Sequence, residues 1–300
     1  MMRLSLITAL ILACASALLA YAQQPQQSQL QPHFTTRAEF VRVDTLVTNR
    51  GTSVKGLASE DFELRDNGVL QQVTVTDASA MPVDVALALD VSGSVNGLRL
   101  ISLKRAAGSL VESLRVGDRA ALVSFNDLLT IESSLTDDFT RVGKKISELM
   151  STGRTSLRDA AYVALLQTDP EAGRGLVVLF TDGQDVSSFM MDATLTDTAN
   201  RVNAVVYSVA LGENKDSIYD IPQDAILDEL PRITGGRRFS ADNPEKLRDV
   251  FATILAEFRQ RYILSYSPQG VDRAGYHTLD VRLARGRKGE VHARPGYMRS

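Results

Sequence analysis

Tryptophan is absent from this 300-residue chain, cysteine occurs once and histidine three times. With Cys14 alone, the chain cannot close an internal disulfide, so its stability must come from packed cores. His33, His277 and His292 are far apart, with no His-x-x-x-His spacing, which removes the common paired-imidazole metal motif. No Gly-x-Ser-x-Gly elbow, Walker loop or Gly-x-Gly-x-x-Gly fingerprint occurs. Serine hydrolases, P-loop nucleotidases and dinucleotide-binding enzymes therefore have no support here. The formal charge of −3 lacks the positive excess of a nucleic-acid-binding chain.

Hydrophobic residues make up 44% of the chain, enough for one large or two smaller globular cores. The first 22 residues read as a secretory signal: Arg3, an apolar run from Leu4 to Leu19, then a small-x-small site at Ala20-Tyr21-Ala22. An uncleaved membrane anchor, for which this run is marginal in length, is one alternative. Lipidation at Cys14, within Ile11-Leu12-Ala13-Cys14, is the other. Membrane association is expected only in these two cases. Cleavage at Ala22 would leave a cysteine-free chain of charge −4, suited to a bacterial periplasm, envelope or exterior. Residues 23–36 are Gln-rich and read as a disordered spacer.

The rest divides into three. Residues 37–80 carry strand signals, with turns at Asn49-Arg50-Gly51 and Asp66-Asn67-Gly68. Residues 82–258 alternate strands (83–89, 120–125, 129–134, 176–181, 204–211, 237–240) with helices (97–115, 138–150, 156–167, 192–202, 222–233, 244–260). This is the α/β pattern of a doubly wound, mostly parallel six-stranded sheet, with 129–134 as an antiparallel edge. Residues 261–300 return to strands, at 261–267, 276–284 and 290–294. The two terminal segments are each too small for a core, so they are expected to pair as one small β domain. Nine Lys/Arg against three acidic residues give 259–300 a charge of +6. It reads as a solvated strand face, with a patch for anionic partners as the alternative.

The candidate site begins at Asp90-Val91-Ser92-Gly93-Ser94, directly after the apolar run Val83–Leu89. An extended segment points alternate residues to one side, so Asp90, Ser92 and Ser94 present three oxygens to one point, as a hard cation requires. Two more oxygen donors follow: Thr155, just before a helix, and Asp182, at the end of a second buried strand. Capping and turn formation would explain each of these singly. Asp185 reads as a solvated loop carboxylate or as part of the rim. His33, His277 and His292 read as solvated, surface or strand-pairing residues.

In that order and on those elements, the five residues resemble the metal-ion-dependent adhesion site of the von Willebrand factor A-domain family, over about residues 82–258. The tail, from Arg261-Tyr262-Ile263-Leu264-Ser265-Tyr266 to Arg294-Pro295-Gly296-Tyr297, resembles the ending of the von Willebrand factor A-related domain proteins described from acidobacteria. These are predicted exported proteins with no settled activity. The resemblance implies that Ser92 and Ser94 ligate a divalent cation directly, and that Asp90, Thr155 and Asp182 do so directly or through water. It also implies an open coordination position, filled by an Asp or Glu of a partner protein. Hydroxyl-rich ligation suits Mg²⁺, with Mn²⁺ or Ca²⁺ as alternatives. The expected function is metal-dependent protein binding without catalysis. The alternatives are a scaffold subunit of an envelope assembly and, lacking an imidazole or thiol base in the motifs, a metal-assisted hydrolase.

Overall fold

Five strands open the described chain: β1 (Val41–Asn49), β2 (Thr52–Ser53), β3 (Phe62–Asp66), β4 (Val69–Gln71) and β5 (Thr74–Asp77). The α/β layer follows with β6 (Val83–Asp90), α1 (Leu98–Glu112), β7 (Arg119–Phe125), β8 (Leu129–Thr136), α2 (Phe139–Glu148), α3 (Leu157–Leu166) and β9 (Arg174–Thr181). It continues through α4 (Asp192–Arg201), β10 (Ala204–Leu211), α5 (Ile226–Thr234), β11 (Arg238–Ala241) and α6 (Leu247–Arg259). Four strands end the chain: β12 (Tyr262–Tyr266), β13 (Gly275–Leu283), β14 (Glu290–His292) and β15 (Gly296–Arg299). The computed structural model describes residues 40–168, 174–182, 184–211 and 225–299. The signal segment, Cys14, the Gln-rich spacer, His33 and the start of the helix expected from 222 lie outside the described residues.

The central sheet has six strands in the order β11-β10-β9-β6-β7-β8, parallel except for the antiparallel edge β8. Alternation along the buried strands decides the two faces. Val83, Val85, Leu87 and Leu89 of β6 join α1, α2 and α6 in one core. Ala86 and Ala88, pointing the other way, join α3, α4 and α5 in a second. Large residues on one face and alanines on the other let the second helix layer approach closely. Burial on both faces is also why these strands read as unbroken apolar runs.

The terminal segments form two further sheets. One has the order β14-β1-β12-β5, with β2 on β1; the other is β15-β13-β3-β4. Each mixes strands from both ends of the chain, with β1 against β12 and β3 against β13, both antiparallel. Their inner faces share a core of Val43, Val47, Phe62, Leu64, Tyr262, Leu264, Tyr266, Leu279 and Tyr297. The β3–β4 hairpin turns at Asn67 and Gly68, both at positive φ (45° and 82°), as a two-residue hairpin of this twist requires.

Three buried arginines join these strands to the α/β layer; two of them, Arg261 and Arg294, belong to the basic tail, whose Arg273, Arg282, Arg285, Arg287 and Lys288 are exposed as a solvated face requires. Arg294 donates to the carbonyls of Ala199, Asn200 and Val202 at the end of α4. Arg261, wholly buried, donates to Gly235 O at the end of α5, and to Asp44 O, His292 O and Tyr207 Oη. Arg174 reaches Phe258 O at the end of α6, and also Asp44 Oδ1 at 2.7 Å. Carbonyls at a helix C-terminus lack intrahelical partners and carry partial negative charge, so guanidinium is suited to fill them. Burial pulls the Arg294 pKa down to about 10, which leaves it charged at neutral pH. Other tail arginines are paired as well, Arg259 with Asp118, Arg282 with Asp280 and Arg287 with Asp61. Residues 39–300 accordingly form one compact unit.

His277 is a strand-pairing residue, opposite Tyr297 of β15, and not a surface one. It is fully buried, and its Nδ1 lies 2.7 Å from Asp66 Oδ1. Asp66 Oδ2 accepts from Tyr266 Oη (2.8 Å) and Tyr297 Oη (3.1 Å). Burial and these neighbours push both phenol pKa values up, that of Tyr297 to about 12. The result is a polar cluster inside the terminal strands.

Candidate metal centre

In an open α/β sheet, ligands bind beyond the carboxyl ends of the strands, where the winding reverses. Here that place lies between β6 and β9: the chain proceeds from β6 to β7 on one side and from β9 to β10 on the other. Asp90 ends β6 and Asp182 follows β9, so the two carboxylates stand on adjacent central strands at the reversal.

Four of the five expected residues are linked by hydrogen bonds. Asp90 Oδ1 accepts from Ser92 N at 2.8 Å, an Asx turn that fixes the start of the loop. Ser92 Oγ and Ser94 Oγ are 3.0 Å apart, and Ser94 Oγ donates to Asp182 Oδ1 at 2.7 Å. Thr155 reaches the site through its loop: Gly153 O takes Gly93 N–H at 2.9 Å, and Val91 O takes Thr152 N–H at 2.9 Å. Its hydroxyl makes no hydrogen bond among the described residues, although the residue is only 5% exposed. Gly153 has φ +75°, and a Cβ there would lie 2.6 Å from Asp127 Oδ2, so the turn admits only glycine.

Burial pushes the Asp90 carboxyl up to about 6; Asp182 adds to the rise, and hydrogen bonds from Thr181 and Ser92 oppose it. Asp182 has its side chain out of water but is paired with Arg99, whereas Asp90, equally buried, has no ion-pair partner among the described residues and is costly without a cation nearby. A divalent ion meets that need, and the spare Thr155 hydroxyl together with the Ser92–Ser94–Asp182 chain supplies oxygen donors of the right kind. The donor set therefore fits a hard cation.

Three features of the site escaped the sequence reading. Thr181 Oγ1 donates to Asp90 Oδ2 at 2.6 Å. Arg99, in the first turn of α1, places Nη1 2.5 Å from Asp182 Oδ2. Flanking carboxylates tie the site together: Asp127 Oδ1, on the loop after β7, accepts Arg154 N, and Asp159, in the first turn of α3, accepts Phe189 N and Met190 N. No local pattern marks such contacts, because each joins segments far apart in sequence. Asp185 is likewise not a solvated loop carboxylate. It accepts from the backbone of Arg158 and Ser188 and faces the Arg158 guanidinium at 3.1 Å. Burial alone would raise its pKa, but these hydrogen bonds outweigh burial and hold it below the usual carboxylate value. His277 and His292 are not part of the site: they lie on β13 and β14, in the terminal sheets.

Residues 85–184 match the family model of the von Willebrand factor type A domain. A UPF0353 protein of Mycobacterium avium is 22% identical over 227 residues, covering 67% of this chain and 67% of its own length. An uncharacterized protein of Synechocystis is 27% identical over 113 residues, 35% of this chain and 26% of its own. Among solved structures, a von Willebrand factor type A protein from Catenulispora acidiphila superposes with a TM-score of 0.52 at 14% identity. That alignment spans 85% of this chain and 76% of the other.

Proposed function

We propose a function from the premise that the central part of this chain is a von Willebrand factor type A domain: an exported module that binds a partner protein through a divalent cation. The observation that carries the reading is the meeting of Asp90, Ser92, Ser94 and Asp182 at the reversal point of the sheet, with the unpaired Thr155 hydroxyl on the adjoining loop. These five residues would hold the ion, Mg²⁺ being the best match to hydroxyl-rich ligation. When bound, the ion supplies a Lewis-acidic position for an Asp or Glu of the partner.

The surroundings support a protein-binding face. Leu98, at the start of α1, and Leu128, Met150, Val186, Phe189 and Met191, on the loops that leave β7 and β9 and on the segment tied to Val91, are all exposed. Exposed apolar side chains gathered about a polar centre are the usual make-up of an interaction surface. Binding rather than catalysis is the reading, because the motifs hold no imidazole or thiol to act as a base. Export rests on the N-terminal signal pattern alone.

The test is calorimetric titration with Mg²⁺, Mn²⁺ and Ca²⁺, followed by affinity capture from an envelope extract in Mg²⁺, in EDTA, and with Asp90→Ala as bait. A partner retained only by wild type in Mg²⁺ supports the proposal. Equal capture in all three arms moves the interface away from the metal and favours a scaffold role.

A further inference from the structure

We propose that Arg99 is a built-in counter-cation of this site: it neutralises Asp182 before a metal arrives and so sets the metal concentration at which the site fills. The inference rests on the metal-site reading above. Asp182 divides its two oxygens, Oδ1 accepting from Ser94 Oγ at 2.7 Å and Oδ2 from Arg99 Nη1 at 2.5 Å. Among the described residues, Arg99 is the sole ion-pair partner of this carboxylate, whose side chain is fully buried. A buried carboxylate needs a compensating charge, and guanidinium stays protonated at every physiological pH.

The position of Arg99 points the same way. It lies in the first turn of α1, where the helix dipole disfavours a cation, and that turn has no acidic residue of its own to offset it. Helix stability therefore does not explain an arginine here, whereas pairing with Asp182 does. The same Nη1 lies 3.5 Å from Ser94 O, which keeps the guanidinium over the serine loop as well.

A divalent ion held by Ser94 and Asp182 would face this fixed positive charge across one carboxylate. Even at the dielectric of water, a unit charge and a divalent ion a few ångströms apart repel enough to weaken binding about tenfold. The Arg99 side chain is 41% exposed, so it can swing into water without a burial penalty when the ion enters. The site would then stay empty at low metal concentration and fill at a higher one, with Asp182 exchanging one cation for another.

The experiment compares wild type, Arg99→Gln, Arg99→Ala and Arg99→Lys as full chains, by calorimetric titration with Mg²⁺ and Mn²⁺ and by thermal melts in EDTA. We expect the Gln and Ala variants to bind metal about tenfold more tightly than wild type. They should also melt lower in EDTA and show a larger metal-dependent rise in Tm. The Lys variant, which keeps the charge, should stay within about threefold of wild type. Equal affinities for wild type and the two neutral variants would overturn the role of Arg99 and leave the metal site standing. Absence of binding in every protein would overturn the metal site and this inference with it.

Discussion

Replacing Asp90 with asparagine should stabilise the metal-free protein while abolishing its response to metal. The Asp90 carboxyl, ordinarily near 3.8, is pushed by burial up to about 6. The folded state then holds the proton more tightly than the unfolded chain. Metal-free stability therefore falls as pH rises from about 4 to about 6, and the full penalty persists above that range. At about 1.4 kcal/mol per pH unit, the penalty at pH 7 is about 3 kcal/mol. Asparagine cannot ionise and so escapes it. Its amide oxygen keeps the bond from Ser92 N, while the Thr181 hydroxyl must reverse to accept from the new amide. We therefore expect a net gain of about 1–3 kcal/mol at pH 7, or about 2–5 °C in Tm for a chain of this size. The gain should vanish below about pH 4, where the aspartate is neutral too. The assay is scanning calorimetry between pH 4 and 8, in EDTA and in Mg²⁺, where Mg²⁺ should raise the Tm of wild type alone. A less stable asparagine variant in EDTA at pH 7, or one that keeps the Mg²⁺ shift, would refute the reasoning.

Three other substitutions test separate parts of the structure. Gly153→Ala meets both a positive φ and Asp127, so it should displace the Thr155 loop and weaken Mg²⁺ binding by at least about tenfold; titration at unchanged affinity would contradict this. Asp66→Ala strands three buried donors, on His277, Tyr266 and Tyr297, and should cost about 3–5 kcal/mol in urea unfolding. Hydrogen exchange should then rise in β3 and β13 with metal affinity unchanged, and a loss below about 1 kcal/mol would show that the cluster is not a structural centre. Gly236→Ala would set a Cβ 1.8 Å from Val206 O, a backbone atom in the middle of β10, so we expect little folded protein by circular dichroism; a normal melt would show that the backbone there yields.

The positions of Asp90 and Asp182 were legible because a fully buried parallel strand reads as an unbroken apolar run, and the residue that ends it stands at the ligand-binding edge. Ser92 and Ser94 followed from alternation in an extended loop, a local property. Helix and strand positions in the α/β layer came from the same periodicities, and the observed ends differ from those expected by only a few residues. The strand at Gly296–Arg299 was missed, because four residues are too few to show a period. The burial of Arg261 and Arg294 was not legible, because they alternate with apolar residues as the exposed cations of the tail do. Only the fold reveals that their guanidinium groups reach helix ends 26 and 95 positions away.

The sequence by itself indicated the two-sided α/β layer and the Asp90-Ser92-Ser94 loop, since both rest on patterns a few residues long, and the family resemblance added Thr155 and Asp182 as candidate donors. The tertiary structure alone decided what surrounds those donors. Arg99 meets Asp182 across 83 positions, and Thr181 meets Asp90 across 91. Burial of His277 with Asp66 spans 211. Such pairs depend on which strands lie side by side, and no single stretch of chain carries that information. The charge balance of the site, and with it the pH and metal response predicted above, is therefore a property of the folded chain.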